Sequence, residues 1–124
     1  MTYDSGALVA AERGDRRMWA LHAGFLAEEV SPIVSAPVLA QAWRGGPRQA
    51  NLVRCLALCD VEAMTADQAR RVGVLAAAVG HRDIVALTVV EGAARRGDGI
   101  VTADTGDITD IVRAARLTIM IEQV

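Results

Sequence analysis

The chain of 124 residues contains no lysine, and all 13 of its basic residues are arginines. A P-loop, a Schiff-base site and a response-regulator site each need an ammonium group at a fixed place. The lack of lysine therefore excludes these three classes of protein. A glycine-rich phosphate loop is also absent, which disfavours other phosphate-binding α/β domains. The net charge of −2 excludes a strongly basic protein that coats nucleic acid, but it allows a local cationic groove.

Aromatic residues are scarce, at 3% of the sequence, although 52% of the residues are hydrophobic. The core must therefore consist of aliphatic side chains, which favours helices packed on a sheet. The two cysteines, Cys55 and Cys59, lie four residues apart on a predicted helix. A disulfide would strain that helix, and two thiols alone make a poor zinc site, so we interpret them as buried free thiols of a reducing compartment. No apolar run is long enough for a signal peptide or a membrane span, and we expect a cytoplasmic protein with no membrane partner.

Short apolar runs alternate with helical patterns along the whole chain. Strands are predicted at Met1–Tyr3, Ile33–Ser35, Val61–Met64, Gly99–Ala103 and Leu117–Ile121. Helices are predicted at Ser5–Glu12, Arg16–Glu29, Pro37–Trp43, Arg48–Leu58, Thr65–Val79, Asp83–Arg96 and Asp107–Ala115. This alternation predicts one α/β domain over residues 1–124, with a parallel sheet that helices cover on both faces.

Two aspartates follow strands that lie far apart in the sequence. Asp4 comes directly after the first strand, and Asp104 comes directly after Gly99–Ala103. If both strands are parallel and central, the two carboxylates meet at the carboxyl edge of the sheet, where open α/β folds bind their ligands. Two facing carboxylates repel unless a cation or a shared proton lies between them. The pair therefore predicts a divalent metal site.

Four motifs in order along the chain carry a resemblance to a known family. They are Asp4-Ser5-Gly6-Ala7-Leu8, the run from Ala36 to Gly45, Asp83-Ile84-Val85-Ala86, and Val101-Thr102-Ala103-Asp104. Together they resemble the PIN domain, above all its small bacterial VapC-like members, the toxins of type II toxin–antitoxin pairs. The resemblance implies a three-layer α/β/α sandwich with a central, mainly parallel twisted sheet of about five strands. It also implies an acidic cluster that binds Mg²⁺ or Mn²⁺, hydrolysis of RNA phosphodiester bonds, a homodimer, and an antitoxin protein as partner.

The resemblance assigns site roles to four aspartates of this chain. Asp4, Asp83 and Asp104 take catalytic and metal-binding roles, and Asp107 is a further metal ligand. Each position also has a structural interpretation. Asp83 and Asp107 are well placed to cap helices, Asp4 can cap the first helix, and Asp104 can be a turn residue. Thr102 can hold a neighbouring carboxylate by a hydrogen bond.

Two acids that the family pattern expects are replaced in this sequence. Gln41 stands at one position, and its amide oxygen can ligate a metal but carries no charge and accepts no proton at neutral pH. Ala86 stands at the other, with Asp83 one helical turn earlier. The resemblance therefore implies a degenerate acidic site.

Two functions from different classes follow. The first is a Mg²⁺- or Mn²⁺-dependent ribonuclease toxin with weakened activity. The second is a catalytically inactive PIN module that binds an antitoxin, RNA or a second copy of itself. Arg44 and Arg48 flank a Gly-Gly-Pro turn and are either contacts for an RNA backbone or part of a solvated surface. His22 and His81 receive no role.

Overall fold

All strands of the central sheet run parallel. The computed structural model describes residues 1–124, with strands β1 (Thr2–Tyr3), β2 (Ile33–Ser35), β3 (Asp60–Glu62), β4 (Ile100–Thr102) and β5 (Ile121–Gln123). They form one five-stranded sheet in the order β3-β2-β1-β4-β5. Thr2 pairs with Ile33 on one side and with Ile100 on the other. The first strand is therefore central, and the predicted parallel sheet of about five strands is confirmed.

Helices connect the strands. They are α1 (Ser5–Glu12), α2 (Arg16–Ala27), α3 (Ala36–Ala42), α4 (Ala50–Leu56), α5 (Ala66–Val79), α6 (Ile84–Arg96) and α7 (Gly106–Ala114), with a 3₁₀ turn at Pro47–Gln49 before α4. Local chemistry sets their ends. The Thr65 side chain accepts a hydrogen bond from the Gln68 N–H at the start of α5, and Gly80 and Gly97 end α5 and α6 in the left-handed conformation.

Two groups of helices enclose the sheet. Helix α1 packs against α2 and α4, whereas α6 packs against α5 and α7, and both α1 and α6 contact the central strands β1 and β4. The side chains between these layers are mostly aliphatic, and Tyr3 is the only aromatic residue among the buried hydrophobic ones. The predicted three-layer α/β/α arrangement is confirmed.

Two strands lie at positions other than those predicted. The third was predicted at Val61–Met64 and is observed at Asp60–Glu62, and the last was predicted at Leu117–Ile121 and is observed at Ile121–Gln123. The segment before β5 still closes α7, because Arg116 has a positive φ of 56° and the Leu117 N–H donates to the Val112 carbonyl oxygen at 3.0 Å. Leu117 and Ile119 pack against the core ahead of the strand, and pairing with β4 begins only at Met120, whose carbonyl oxygen accepts from the Ile100 N–H at 2.8 Å.

No single helix is both long and apolar enough to cross a bilayer. Helices α5 and α6 meet the length and hydropathy criteria only when they are counted together, and the pair is bent by 107° at the break between them.

Candidate functional site

Four aspartates line one small pocket at the carboxyl edge of β1 and β4. The pocket has a volume of about 130 Å³ and is lined by Asp4, Ser5, Asp83, Val85, Ala86, Val89, Asp104, Asp107 and Ile108. It has room for a cation with a few waters. The structure thus brings together all four aspartates that the sequence singles out.

Asp4 is fixed by the elements on both sides of it. Its N–H donates to the Val101 carbonyl oxygen at 3.1 Å, which continues the β1–β4 pairing by one residue. Its Oδ1 accepts from the Ala7 N–H at 3.0 Å and caps α1, and its Oδ2 accepts from the Thr102 hydroxyl. Burial raises the pKa of Asp4, and the nearby charge of Asp104 adds to that rise, although hydrogen bonds oppose it.

Thr102 connects the two strand ends chemically. Its Oγ1 lies within hydrogen-bond distance of Asp4 Oδ2 and 2.8 Å from the Asp104 carbonyl oxygen, and it accepts from the Asp104 N–H at 3.1 Å. Asp104 Oδ1 in turn accepts from the Gly106 N–H at 3.0 Å at the start of α7. The hydrogen bond that the sequence suggested for Thr102 therefore has a geometric basis: one buried hydroxyl orients both acidic segments.

Gly6 allows these segments to approach each other. A Cβ at this position would lie 2.9 Å from the Ala103 nitrogen and 3.3 Å from Asp4 Oδ1. Only a residue without a side chain fits between α1 and the loop after β4. Sequence reasoning used Gly6 as part of a motif but gave it no role, and its position directly after Asp4 and Ser5 was the available signal.

His81 connects the other two aspartates and was assigned no role from the sequence. Its Nδ1 accepts from the Asp83 N–H at 3.2 Å, and its Nε2 lies 3.3 Å from Asp107 Oδ1. Asp83 itself caps α6, because its Oδ1 accepts from the Ala86 N–H at 3.1 Å. The capping interpretation of Asp83 is therefore correct, and the same carboxylate also lines the pocket.

Comparison with solved structures identifies the fold. The chain matches a crystal structure of VapBC2 from Rickettsia felis bound to a DNA fragment from their promoter, over 100% of this chain and 99% of that chain. The TM-score is 0.70 and the sequence identity is 16%. The chain has a VapC-like PIN fold. No protein-family model matches the sequence, and no curated protein is similar to it.

Within this PIN fold, the two positions at which the family pattern predicts an acid lie differently relative to the pocket. Ala86 is buried and lines it. Gln41 is exposed on α3 and lies outside the lining, but its Oε1 accepts a hydrogen bond from the Ser5 hydroxyl at the pocket rim. Neither residue adds negative charge to the pocket.

The carboxylates of the PIN-like pocket are spread out. No three of them place an oxygen within 4.8 Å of one another. One cation therefore cannot contact three of them directly in this arrangement, although Mg²⁺ keeps several waters and can reach carboxylates through them. The donors are all hard oxygens, which fit Mg²⁺ or Mn²⁺ and not a thiophilic metal.

The two arginines considered for RNA binding lie outside the pocket lining. Arg44 Nη1 donates to the carbonyl oxygens of Ala40 at 3.2 Å and Trp43 at 2.6 Å, so its side chain folds back on the end of α3. Arg48 is exposed in the 3₁₀ turn. Both arginines follow α3 and Gln41 in the sequence.

Proposed function

We propose that this chain is a divalent-metal-dependent ribonuclease of the VapC toxin type, with a weakened acidic site that hydrolyses RNA phosphodiester bonds slowly. One observation carries the proposal. Asp4 and Asp104 end adjacent parallel strands of a PIN-like fold and share the Thr102 hydroxyl, in a pocket that Asp83 and Asp107 also line. Ligands of open α/β folds bind at such an edge.

The donor set fits the proposed metal. Asp4 and Asp104 would hold Mg²⁺ or Mn²⁺, and Asp83 and Asp107 would contribute through bound water, because oxygen donors suit these hard cations. When bound, such an ion activates a water and neutralises charge on the phosphate. The 130 Å³ pocket is small, so the scissile phosphate would lie at its mouth and the rest of the RNA along the surface.

The hydrogen bonds of the pocket orient the Asp4 and Asp104 carboxylates, but the pocket offers few groups that accept a proton. The Ala7 N–H and the Thr102 hydroxyl hold the Asp4 carboxylate, and the Gly106 N–H holds Asp104. Preorganised groups of this kind lower the cost of positioning a reacting phosphate. Gln41, in contrast, accepts no proton at neutral pH, and Ala86 has no polar side chain. Fewer proton acceptors imply slower hydrolysis.

The partners follow from the same proposal. RNA is the substrate, and Arg44 and Arg48 would contact its phosphates, since such contacts need positive charge and no sequence reading. The R. felis structure contains VapBC2 on promoter DNA. By analogy, we propose an antitoxin protein as partner, a homodimer as the assembly and the cytoplasm as the location.

A second function is favoured by a specific observation. The carboxylates are too far apart for three of them to contact one ion, and neither Gln41 nor Ala86 restores the charge. A pocket of this kind also fits a catalytically inactive PIN module that binds an antitoxin, RNA or a second copy of itself. Restoring the two acids distinguishes the two functions.

The test uses Gln41→Glu combined with Ala86→Asp. Ala86 is the third residue of α6, where an aspartate is favourable for the helix, so the variant should fold. Ala94→Asp on an exposed part of the same helix is the matched control for the added charge. RNA cleavage with Mn²⁺ is measured for the wild type, the double variant, the control and Asp4→Asn.

The ribonuclease proposal expects slow cleavage by the wild type, faster cleavage by the double variant, unchanged cleavage by Ala94→Asp and none by Asp4→Asn. Cleavage only by the double variant supports the inactive module. If the wild type and Asp4→Asn cleave equally, the activity belongs to a contaminant and the ribonuclease proposal fails.

A further inference from the structure

A second cluster of metal-binding side chains lies in the core, away from the acidic pocket. The ligand atoms of His22, Cys55 and Cys59 all lie within 4.8 Å of one another. No other group of three or more His, Cys, Asp or Glu side chains in the chain has this spacing. The sequence separated His22 from Cys55 by 33 residues, and the packing of the helices brings them together.

The cluster is mostly buried, and its ligand atoms favour one class of metal ion. His22 is 2% exposed and Cys55 is 0% exposed, and Cys59 is half-buried. The ring of Trp19 meets that of His22 edge-on, with centroids 5.6 Å apart. Two sulfurs and one imidazole select thiophilic cations over Mg²⁺ or Ca²⁺.

The Nδ1 nitrogen of His22 faces the cluster. Its Nδ1 lies 3.0 Å from the Tyr3 hydroxyl and 4.0 Å from Cys55 Sγ, and in the tautomer with the proton on Nε2 the Nδ1 lone pair is free to bind a metal. Its Nε2 is buried without a hydrogen-bond partner, which is rare for a polar atom in a core.

The spacing fits a single ion. Zinc binds sulfur at about 2.3 Å and nitrogen at about 2.0 Å, so two of its ligands lie roughly 3.5–4 Å apart. The 4.0 Å between Cys55 Sγ and His22 Nδ1 is already at this separation, and the remaining pairs need only small side-chain rotations. Cys59 follows the end of α4, and its thiol, which donates to the Cys55 carbonyl oxygen at 3.3 Å, would give up this hydrogen bond on binding.

We propose that His22, Cys55 and Cys59 form a buried binding site for one thiophilic d¹⁰ cation, Zn²⁺ or Cu(I), that is independent of the acidic pocket. Binding displaces the protons of both thiols into solvent and changes no oxidation state. The Tyr3 hydroxyl gives up its hydrogen bond to Nδ1. The ion would connect α2 to the turn after α4 at the side of β1 and stabilise the fold by binding the native state alone.

The test uses the reduced, untagged full chain after treatment with a chelator. Co²⁺ is the spectroscopic probe, because thiolate ligands give it a charge-transfer absorption that carboxylates do not. Zn²⁺ affinity is measured by competition with a chromophoric chelator, and Cu(I) affinity is measured in anaerobic buffer. The variants are Cys55→Ser, Cys59→Ser and His22→Gln, with His81→Gln and Asp4→Asn as controls for the other histidine and the other site.

The proposal expects one ion per chain, bound through thiolates, and a rise in Tm on loading. Cys59→Ser and His22→Gln should weaken binding by more than about 100-fold, because even the loss of an outer hydrogen-bond partner costs ~10–100-fold in affinity. Both controls should keep wild-type binding. The proposal is overturned if neither Zn²⁺ nor Cu(I) binds, if no thiolate absorption appears, or if Cys59→Ser, the half-buried position that tolerates change best, binds like the wild type.

Discussion

Replacing Gly6 with alanine tests the geometry on which the acidic pocket depends. The new Cβ would lie 2.9 Å from the Ala103 nitrogen and 3.1 Å from its Cβ. Because the first of these is a backbone atom, α1 and the loop after β4 must separate. Overpacking of this kind costs about 1–3 kcal/mol, whereas alanine in place of glycine within a helix returns at most ~1 kcal/mol. We expect Gly6→Ala to lower the free energy of unfolding by about 1–2 kcal/mol.

Gly73→Ala is the matched control, because Gly73 lies within α5 and a Cβ added there would meet no atom within 4 Å. It should gain up to ~1 kcal/mol from helix propensity alone. For a chain of this size, 1 kcal/mol corresponds to a shift in Tm of about 3–5 °C. Thermal unfolding should therefore rank Gly73→Ala above the wild type and Gly6→Ala below it.

The same pair of variants reports on the site. Separating the loops moves Asp104 away from Asp4, so the rise in Tm on adding Mn²⁺ should shrink in Gly6→Ala and remain in Gly73→Ala. If Gly6→Ala is as stable as Gly73→Ala and keeps the full response to Mn²⁺, the close approach of the two segments does not determine the pocket, and the reasoning fails.

Three further predictions concern single side chains. An acid with a raised pKa stabilises the fold only while it is protonated, so the wild type should lose stability as pH rises from 3.8 through the raised pKa of Asp4. Asp4→Asn should remove this loss. Urea unfolding across pH without divalent ions measures it, and an unchanged pH profile contradicts the prediction. Burial raises the pKa of Glu91, but hydrogen bonds from Arg95 and Arg71 outweigh burial and hold it below 4.5. Glu91→Gln should therefore lower the free energy of unfolding by about 1–3 kcal/mol at neutral pH. The variant should also lose less stability than the wild type as pH falls below 4.5, and equal acid sensitivity of the variant and the wild type would refute this. The Ser35 Oγ is buried without a hydrogen-bond partner and makes no cap at α3. Ser35→Ala should therefore stabilise the fold by up to ~1 kcal/mol, as measured by chemical unfolding. A destabilised variant would show that the hydroxyl has a partner.

Sequence reasoning could locate the acidic edge because it rests on strand ends. Asp4 and Asp104 each follow an apolar run, and parallel pairing then brings them together without any knowledge of the loops. The last strand shows where the same reasoning fails. Leu117 and Ile119 pack against the core ahead of the paired residues, and partly buried residues without pairing give the same pattern in the sequence as a strand.

The two histidines could not be placed from the sequence. His81 reaches Asp107 only because the turn before α6 faces the start of α7, and a turn conformation depends on its tertiary neighbours. His22 meets Cys55 only because α2 and α4 both pack against α1. Contacts between side chains on different helices depend on crossing angles and axial shifts that periodicity does not determine.

The aspartates that remain in the pocket also have structural roles. Asp4 caps α1, Asp83 caps α6, and Asp104 accepts from the Gly106 N–H at the start of α7. Three helix starts therefore direct N–H groups at the pocket, and their partial positive charge stabilises these carboxylates without any metal. Loss of such a cap typically costs about 1 kcal/mol.

Gln41 and Ala86, at the positions where the family pattern predicts acids, cap nothing: Gln41 lies near the end of α3, and the Ala86 N–H only donates to Asp83. An acid at either position would add repulsion to the pocket, and only a bound cation would offset it. Capping accounts for Asp4 and Asp83, and the hydrogen bond from the Gly106 N–H gives Asp104 a local role, whereas carboxylates at positions 41 and 86 would have no such role without a metal. For that reason the change in stability on adding Mn²⁺, compared between the wild type and Gln41→Glu with Ala86→Asp, measures metal binding at the pocket separately from the role of the aspartates at the helix starts.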